Sequence, residues 1–392
     1  MSSTTSILVI GGGLTSASVC RALHRSKAAA ASSLQISVWE ALDGLGGRFH
    51  TEYVRNDAQS GYCDTGAQYV TVTDDAEIAE KNSALYEELV AADVLKPMRG
   101  RIEGGRAADG NGMNFIAPAG LSSVVGHMFA SCDVRPACGR RATAIRTATA
   151  AGARSNGWEV RSADGHAEHF DAVVLTQPLP EQVALLDTGD AGVWLDVSDD
   201  LGGAPIRRKC DAIQYSSRYA LSLFFPPSAI QSFTDEIDWV AKYVNKEEDD
   251  ALVYLCHDSA KRQGGAGSMV SLIAHTSVPY GLKHIAAGAR EAEVIEDLRG
   301  RVLKLLPWLP EPQHTLLKTW RISQVRTPLS LAGGGACWHL MPPAATPQAD
   351  GATLTPPLVL AGDAFSPLGS RFDGCVQSGE HAAAAVLQAL KF

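Results

Sequence analysis

The sequence of 392 residues lacks long apolar runs and any excess of basic charge. No hydrophobic stretch approaches the roughly 20 residues that a membrane-spanning helix needs, so a membrane-spanning helix is excluded. The chain has 34 Lys and Arg against 43 Asp and Glu, a net charge of −9, and an acidic surface repels the phosphates of nucleic acids. Hydrophobic residues make up 45% of the chain, which excludes disorder, and at this length we expect two globular domains.

Paired cysteine motifs are also absent. The eight cysteines are scattered, and none forms a CxxC pair or has the spacing of zinc ligands, so neither a disulfide scaffold nor a metal site is expected. The short apolar stretch 7–10 has no basic leader before it and runs directly into glycines, unlike a cleavable signal peptide. We therefore expect buried thiols and a cytoplasmic location.

The N-terminal residues of the sequence contain a dinucleotide-binding pattern. Residues 7–10 are apolar and rich in β-branched side chains, which predicts a buried parallel strand. A helical stretch begins after Gly-Gly-Gly-Leu-Thr-Ser at positions 11–16. Gly11 permits a tight turn, and Gly13 lets the backbone approach a pyrophosphate at the helix N-terminus. Ser16 replaces the third glycine of the usual pattern, so a simple turn is the alternative interpretation.

A second strand and a second glycine pair make the pattern more specific. The strand predicted at residues 34–39 leads into Glu40, whose carboxylate would accept hydrogen bonds from the ribose of an adenosine. A solvated carboxylate at a strand end is the alternative. The following Gly44-Leu-Gly-Gly47-Arg48 resembles the sequence that amine oxidase and phytoene desaturase flavoproteins carry here, where the arginine faces the cofactor phosphates. The combination predicts FAD.

The C-terminal region is similar to the part of the same superfamily that completes the cofactor site. Residues 357–363 predict a buried strand ending in Gly362-Asp363, and residues 370–379 lead into an alanine-rich final helix. In the superfamily the aspartate contacts a ribityl or phosphate oxygen. The last helix points its N-terminus at the flavin pyrimidine ring, where the helix dipole stabilises the charge of reduced flavin. An ordinary strand–turn–helix unit is the alternative.

Because both ends of the chain contribute to one cofactor domain, the other domain must be inserted. We expect an α/β protein with a Rossmann-type FAD-binding domain and an inserted α+β substrate domain on an antiparallel or mixed sheet. This architecture is p-hydroxybenzoate hydroxylase-like or amine oxidase-like. The bounds expected are 1–76, 112–178 and 322–392 for the FAD-binding domain, and 77–111 and 179–321 for the substrate domain.

The predicted secondary structure of the inserted region mixes helices and strands. A helix over residues 76–92 would bury Leu85, Leu89 and Val90 on one face. Residues 331–357 are rich in Gly, Ala and Pro and predict a long loop. The other elements predicted are strands at 218–225, 252–256 and 269–278 and a helix at 290–305.

Motifs spread over nearly the whole chain resemble the renalase family. They occur in the order of that family and are not shared with flavoproteins in general. The motifs are Thr65-Gly-Ala-Gln-Tyr-Val-Thr71, Ile102-Glu-Gly104, Asn114-Phe-Ile-Ala-Pro118, Tyr215-Ser-Ser-Arg-Tyr-Ala-Leu221, His275-Thr-Ser-Val-Pro279, Trp320-Arg-Ile-Ser-Gln-Val325 and Phe372-Asp-Gly-Cys375. The sequence departs from the family at Ser16 and in longer alanine-rich loops.

The resemblance implies a function and a set of site residues. Renalases bind FAD without a covalent link. They use it to oxidise dihydro isomers of NAD(P) that carry the hydride at nicotinamide carbon 2 or 6, giving β-NAD(P)+. Animal members reduce dioxygen to hydrogen peroxide, and bacterial members use quinone-like acceptors; for this chain we expect dioxygen, and a monomer. Tyr243, His275 and Trp320 would line the substrate pocket over the isoalloxazine. The residues expected to contact FAD are Gly11, Gly13, Leu14, Thr15, Glu40, Gly47, Arg48, Gln68, Tyr69, Asp363, Phe372, Gly374, Cys375 and Val376.

The implied chemistry needs little acid–base assistance. A dihydropyridine regains aromaticity when it loses hydride, so catalysis reduces to placing the donor carbon near flavin N5 and excluding water. Tyr243 and Trp320 suit stacking on a nicotinamide, and His275 could hydrogen-bond its carboxamide. Core packing of Trp320 and a structural role for His275 within a strand are the alternatives.

Other functions are compatible with much of the same signature. An amine or catecholamine oxidase shares the fold, but alignment on Gly374 puts Arg371 at one position of its aromatic cage, and a fixed cation is a poor neighbour for an amine. Cys337, after a run of glycines, resembles the cysteine that tethers flavin in monoamine oxidases. An extracellular signalling protein with a structural flavin and a dehydrogenase of ordinary β-NADH are further alternatives.

Overall fold

The computed structural model describes residues 4–29, 34–56, 61–105, 113–148, 157–198, 205–262, 269–331, 334–340 and 356–392. Its strands are β1 (Thr5–Ile10), β2 (Leu34–Trp39), β3 (Thr51–Tyr53), β4 (Tyr62–Asp64), β5 (Val70–Thr71), β6 (Lys96–Pro97), β7 (Arg101–Glu103), β8 (Asn114–Ile116), β9 (Ala142–Ala148), β10 (Gly157–Ser162), β11 (Ala167–Phe170), β12 (Ala172–Leu175), β13 (Arg218–Phe225), β14 (Trp239–Tyr243), β15 (Leu252–His257), β16 (Val270–Thr276), β17 (His314–Trp320), β18 (Cys337–Leu340) and β19 (Leu358–Ala361).

The α-helices are α1 (Leu14–Ala29), α2 (Ala76–Ala91), α3 (Ser122–Ala130), α4 (Leu179–Asp187), α5 (Val193–Val197), α6 (Ile206–Ala212), α7 (Ile230–Glu236), α8 (Asp258–Lys261), α9 (Val278–Ala286), α10 (Glu291–Leu305) and α11 (Phe372–Leu390). Short 3-10 turns occur at Val54–Asn56 and Pro227–Ala229.

The chain divides into two compact units. Unit 1 comprises residues 1–47, 125–214 and 325–392, and unit 2 comprises residues 48–124 and 215–324. These bounds differ from the expected ones in residues 48–76, 112–124 and 322–324, which lie in unit 2, and in residues 179–214, which lie in unit 1. The reason is local pairing: β3 pairs with β4 and β5 with β8, while α4 packs against β9 and α6. The functional assignment of the two domains stays a prediction.

Unit 1 is built on a five-stranded sheet in the order β18-β19-β12-β1-β2. All neighbours are parallel except β18, which runs antiparallel to β19. Strands β12 and β19 are buried along their whole length, as apolar runs in parallel sheets are. The carboxyl ends of β1, β2, β12 and β19 therefore meet at one edge, where open α/β sheets bind ligands. The α/β class and the Rossmann-type sheet are confirmed.

Helices α1 and α11 pack closely in unit 1. A Cβ added at Gly379 would lie 2.6 Å from both Ser18 Cβ and the Thr15 carbonyl oxygen, so only glycine allows this approach. Strands β9, β10 and β11, which precede β12, form a separate antiparallel sheet in the order β11-β10-β9. Its Trp158 ring packs edge-on against Trp194 at 4.8 Å between centroids, and Trp158 Nε1 donates to the Pro357 carbonyl at 3.0 Å.

Unit 2 is built on a six-stranded sheet in the order β17-β13-β16-β15-β14-β7. Neighbours are antiparallel except β14 and β7. Side chains alternate along each strand, so Leu221, Leu223 and Phe225 face an apolar cluster that includes Leu298 and Val302 of α10. The intervening residues of β13 lie on the opposite face of the sheet.

One strand and the burial of one side chain differ from the predictions. Strand β18 (Cys337–Leu340) lies inside the segment 331–357 that was predicted to be a loop, because it pairs with β19 over four residues. Residues 341–355 of that segment lie outside the described residues. On α2, Leu85 and Leu89 are buried as predicted, but the prediction for Val90 is wrong, since its side chain is 37% exposed. In the described part of the chain, no helix combines the length and apolar character needed to cross a membrane.

Candidate functional site

The first glycine of the N-terminal loop sits where no other residue fits. Gly11 has φ +117, a conformation that favours glycine. A Cβ there would lie 2.5 Å from Thr176 Oγ1, at the end of the neighbouring strand β12. The Gly11 amide donates to the Trp39 carbonyl at 2.8 Å. The loop therefore turns tightly at the sheet edge that was predicted to hold the nucleotide.

Glu40 lies directly beside this loop. Its carboxylate accepts hydrogen bonds from the Gly12 amide at 2.5 Å and from the Leu42 amide at 2.7 Å. A Cβ at Gly12 would lie 2.9 Å from Glu40 Cγ, so the missing side chain at Gly12 makes room for the carboxylate. This places an acidic acceptor at the carboxyl end of β2, as ribose recognition requires.

The second glycine segment packs against the first. The Gly46 amide donates to the Gly12 carbonyl at 2.9 Å, and Gly47 has φ +58. A Cβ at Gly47 would lie 3.5 Å from Gly13 Cα. At Gly13 itself, the nearest described protein atom to an added Cβ is the Gly46 carbonyl oxygen at 3.9 Å. The space over Gly13 is therefore open, which fits a pyrophosphate approaching the backbone.

The first turn of α1 is buried against the sheet. Leu14 begins the helix, and Leu14 and Thr15 are both buried. Ser16 is fully buried, and its hydroxyl has no hydrogen-bond partner among the described residues. A buried hydroxyl without a partner is costly, so a ligand or a bound water at this helix N-terminus would satisfy it. The replacement of the third glycine is therefore compatible with a nucleotide.

The C-terminal half of the predicted cofactor set lies at the same edge of the unit 1 sheet. Asp363, which follows β19, is 1% exposed and accepts a hydrogen bond from Ser370 Oγ at 2.6 Å. A Cβ at Gly374, in the first turn of α11, would lie 2.6 Å from the Gly369 carbonyl oxygen, so the close approach of the preceding turn requires glycine there. The other predicted residues in the first turn of α11 are Phe372, Cys375 and Val376. The buried Asp363 carboxylate and the N-terminus of α11 fit FAD.

Cys337 does not have the properties of a flavin-tethering thiol. It lies in β18, where burial raises the pKa of its thiol to about 12. The thiolate is the reactive form of cysteine, and it is scarce at neutral pH with such a pKa. This favours FAD held without a covalent bond.

In unit 2, three aromatic side chains form a row across one face of the sheet. Tyr243 of β14 is paired with Tyr254 of β15, and Tyr254 is paired with His275 of β16. Their ring centroids are 5.3 Å and 5.8 Å apart. The row continues through Ala220 of β13, and Trp320 lies on the same face at the end of β17. Tyr243, His275 and Trp320, the residues predicted to carry catalysis, thus share one sheet face.

A segment after β4 crosses this face. Trp320 Nε1 donates to the Thr65 carbonyl at 2.8 Å. The segment also packs tightly against the backbone at Arg48. At Gly66 an added Cβ would lie 2.0 Å from the Arg48 carbonyl oxygen. The glycine of the Thr65–Val70 motif is therefore needed for backbone packing.

The same segment reaches the other two predicted residues. Gln68 Nε2 lies 3.4 Å from His275 Nε2, and the hydroxyls of Tyr69 and Tyr243 are 2.7 Å apart. Gln68 is held by its Nε2, which donates to the Asp64 carbonyl at 2.5 Å, while its buried Oε1 has no described partner. The predicted FAD contacts Gln68 and Tyr69 are thus adjacent to the predicted substrate contacts.

Arg48, the remaining predicted FAD contact, lies at one end of this arrangement. Its Nη1 donates to the Ser323 carbonyl at 3.0 Å, and its guanidinium carbon is 5.9 Å from the centre of the Tyr215 ring. The arginine is therefore positioned by backbone and aromatic contacts within unit 2.

A buried charge cluster anchors the crossing segment. Lys261 is fully buried, and its Nζ lies 2.7 Å from Asp258 Oδ1 and 3.2 Å from Asp64 Oδ2. The same ammonium donates to the Gln68 carbonyl at 2.8 Å. Arg262 pairs with the second oxygen of Asp258 at 2.5 Å. Two cations and two carboxylates thus balance each other and fix both ends of residues 64–68.

The environment of His275 keeps its imidazole neutral. Burial, together with the nearby cations Arg218 and Lys261, lowers the pKa of His275 to about 3. Asp258 and a backbone hydrogen bond at Thr65 oppose this only in part. At physiological pH the imidazole is therefore a hydrogen-bonding group without charge.

The charge cluster was not predicted from the sequence. Its signal is local in part, because Asp258 is followed at helical spacing by Lys261 and Arg262 directly after a buried strand. The fourth member, Asp64, is 197 residues away from Lys261 and becomes a partner only through the fold.

Comparison with known proteins agrees with these features. The model of flavin-containing amine oxidoreductases matches residues 102–387, and that of NAD(P)-binding Rossmann-like domains matches residues 9–88. A protein named renalase from Mus musculus is 31% identical over 386 residues, which cover 98% of each chain. The chain belongs to the renalase family. This renalase homologue is therefore an FAD-dependent oxidoreductase with non-covalent FAD.

A solved structure shows the same fold at lower identity. A protein from Exiguobacterium sp. 255-15, described as a candidate protoporphyrinogen oxidase, matches this renalase homologue with a TM-score of 0.66 over 100% of both chains at 13% identity. At this identity the match concerns the fold. The resemblance to renalases inferred from the sequence motifs is confirmed by the relative, whereas the roles of individual site residues stay predictions.

Proposed function

We propose that this chain oxidises the 2- and 6-dihydro isomers of NAD(P)H to β-NAD(P)+. The observation that carries the proposal is the shared sheet face of Tyr243, His275 and Trp320, joined by residues 65–69. This face offers flat aromatic surface and neutral hydrogen-bonding groups. Both suit a dihydronicotinamide, which is flat and uncharged at the ring.

Each residue has a binding or positioning role in this proposal. Tyr243 and Trp320 would stack on or flank the nicotinamide ring, and the neutral His275 would hydrogen-bond its carboxamide. Gln68 would hold His275 in orientation through its Nε2 contact at 3.4 Å. None of these groups has to remove a proton, because aromatisation of the ring drives hydride loss. The low pKa of His275 is therefore no obstacle to catalysis.

The glycine segments, Glu40 and the start of α11 would hold the cofactor in unit 1. Arg48, Gln68 and Tyr69, which the resemblance to renalases assigns to FAD contacts, lie in unit 2, and their role stays a prediction. FAD bound there would supply the hydride acceptor, and dioxygen would take up the two electrons with two protons to give hydrogen peroxide. Dioxygen as the acceptor and a monomeric state belong to this proposal.

Oxidation of an amine is the second candidate, because the matching family model is that of flavin-containing amine oxidoreductases. Arg371, which occupies an expected position of the amine-binding aromatic cage, is exposed and precedes α11. A cation at that position would repel a protonated amine, which favours the dinucleotide substrate.

Anaerobic reduction of the bound flavin distinguishes these functions. The purified protein is mixed with each dihydro isomer, with β-NADH and with a catecholamine, and the flavin absorbance is followed before air is admitted. The proposal predicts rapid bleaching by the isomers and hydrogen peroxide on reoxidation. Bleaching by the amine alone would assign the chain to amine oxidation, and rapid bleaching by β-NADH would make it an ordinary NADH dehydrogenase.

A further inference from the structure

Arg218 is a largely buried cation on the candidate substrate face. It begins β13 and is paired in register with Trp320 of β17. It lies on the same face as Ala220, which is paired with His275. Its charge is close enough to His275 to lower the pKa of that imidazole. A guanidinium therefore lies next to two of the three residues that the proposed function assigns to the nicotinamide.

The Arg218 side chain has little to compensate its charge. Its Nη1 donates to the Thr276 carbonyl at 3.3 Å, and its buried Nε has no hydrogen-bond partner in the described part of the chain. Among the residues that the structure describes, no carboxylate lies within ion-pair distance of it. Burial alone lowers the pKa of Arg218.

Two other arginines of the described chain have their charge balanced by carboxylates. Arg262 is paired with Asp258, Arg301 with Asp249, and in both arginines the carboxylates raise the pKa. Burying a charge without a partner is costly, so an arginine in this state has an unused capacity for an anion. Its planar fork matches the oxygens of phosphate in particular.

We propose that Arg218 binds a phosphate oxygen of the dinucleotide substrate and selects anionic nicotinamides over amines. This inference rests on the proposed function and assigns the specificity of the same site. The phosphate could also come from FAD, and the experiment separates the two sources. A cation here favours a dinucleotide, which is an anion, and disfavours a protonated amine for the same electrostatic reason.

The test removes the charge from the protein and the phosphate from the substrate. Arg218→Gln and Arg218→Lys are compared with wild type in anaerobic flavin reduction by 6-dihydro-NAD and by 6-dihydronicotinamide riboside, which has no phosphate. Arg321→Gln is the matched control, because Arg321 directly follows Trp320, the register partner of Arg218, and is exposed. The dissociation constant of FAD is measured for each variant by titration of the apoprotein.

The expected result is a charge effect that depends on the phosphate. Arg218→Gln should raise the half-saturating concentration of 6-dihydro-NAD about 10-fold or more, as loss of a charged hydrogen bond does. It should change that of the riboside less than about 2-fold, Arg218→Lys should recover part of the loss, and Arg321→Gln should behave as wild type. FAD affinity should stay unchanged.

Three results would overturn the proposal in different ways. Equal losses with both substrates would give Arg218 a general structural role and leave the proposed function intact. Weaker FAD binding with unchanged substrate saturation would assign the phosphate to the cofactor. If neither dihydronicotinamide reduces the wild-type flavin, the proposed function itself is wrong and the role of Arg218 falls with it.

Discussion

The buried charge cluster around Lys261 gives a quantitative prediction. Lys261→Met removes one of two cations and leaves the carboxylates of Asp64 and Asp258 with Arg262 alone. Both carboxylates are fully buried, so water cannot replace the lost ammonium. Removing one partner of a buried pair costs about 3–5 kcal/mol, and we expect a loss of this size in the free energy of unfolding. Urea unfolding followed by circular dichroism measures it.

Two further variants make the reasoning refutable. Lys96→Met removes a lysine that pairs with Asp93 at 3.3 Å on the surface, and it should leave stability nearly unchanged. Asp64→Asn keeps an oxygen for the Leu121 amide but removes the negative charge. The double variant Lys261→Met/Asp64→Asn should therefore lose less than the sum of the single variants. Full additivity, or a loss below about 1 kcal/mol for Lys261→Met, would refute a coupled ionic cluster.

The remaining predictions concern the cofactor and His275. Glu40→Ala should weaken FAD binding about 10- to 100-fold, because a charged acceptor for ribose is lost, and equilibrium dialysis of the apoprotein measures this; unchanged affinity would remove Glu40 from the cofactor site. The pKa of His275 is about 3 in the folded chain and ordinary in the unfolded chain, so from about pH 6.5 down to about pH 3 the unfolded chain binds a proton that the folded chain does not. Stability should therefore fall as the pH falls, and His275→Gln should flatten that slope by up to about 1.4 kcal/mol per pH unit in urea unfolding. An unchanged slope would contradict a neutral His275.

The elements with strong local signals were predictable from the sequence. Strands β1, β2 and β13 are apolar or β-branched runs, and the structure places them within about two residues of the predicted bounds. The glycine loop was predictable for the same reason, since Gly11 and Gly47 adopt conformations that favour glycine. Local chemistry decides these features, and tertiary context changes them little.

Features that depend on distant pairing were not predictable. Strand β18 lies in a segment with a loop-like composition and forms because β19 offers an edge. Val90 follows the apolar pattern of α2 but lies beyond its buried stripe. The ion pair of Asp64 and Lys261 forms only once the fold brings the two residues together. The surroundings of Arg218 likewise depend on the register of its strand. The sequence motifs contained Arg218 but carried no information about its missing partner.

The most direct test of the proposed function is a single-turnover experiment with one dihydro isomer. Holoenzyme is mixed anaerobically with less than one equivalent of 6-dihydro-NAD labelled with deuterium at carbon 6, and the quenched products are analysed by mass spectrometry. Direct hydride transfer predicts one β-NAD+ per flavin reduced, and slower bleaching than with the unlabelled isomer. Recovery of unchanged isomer with oxidised flavin would contradict the assignment of this renalase homologue to dihydronicotinamide oxidation.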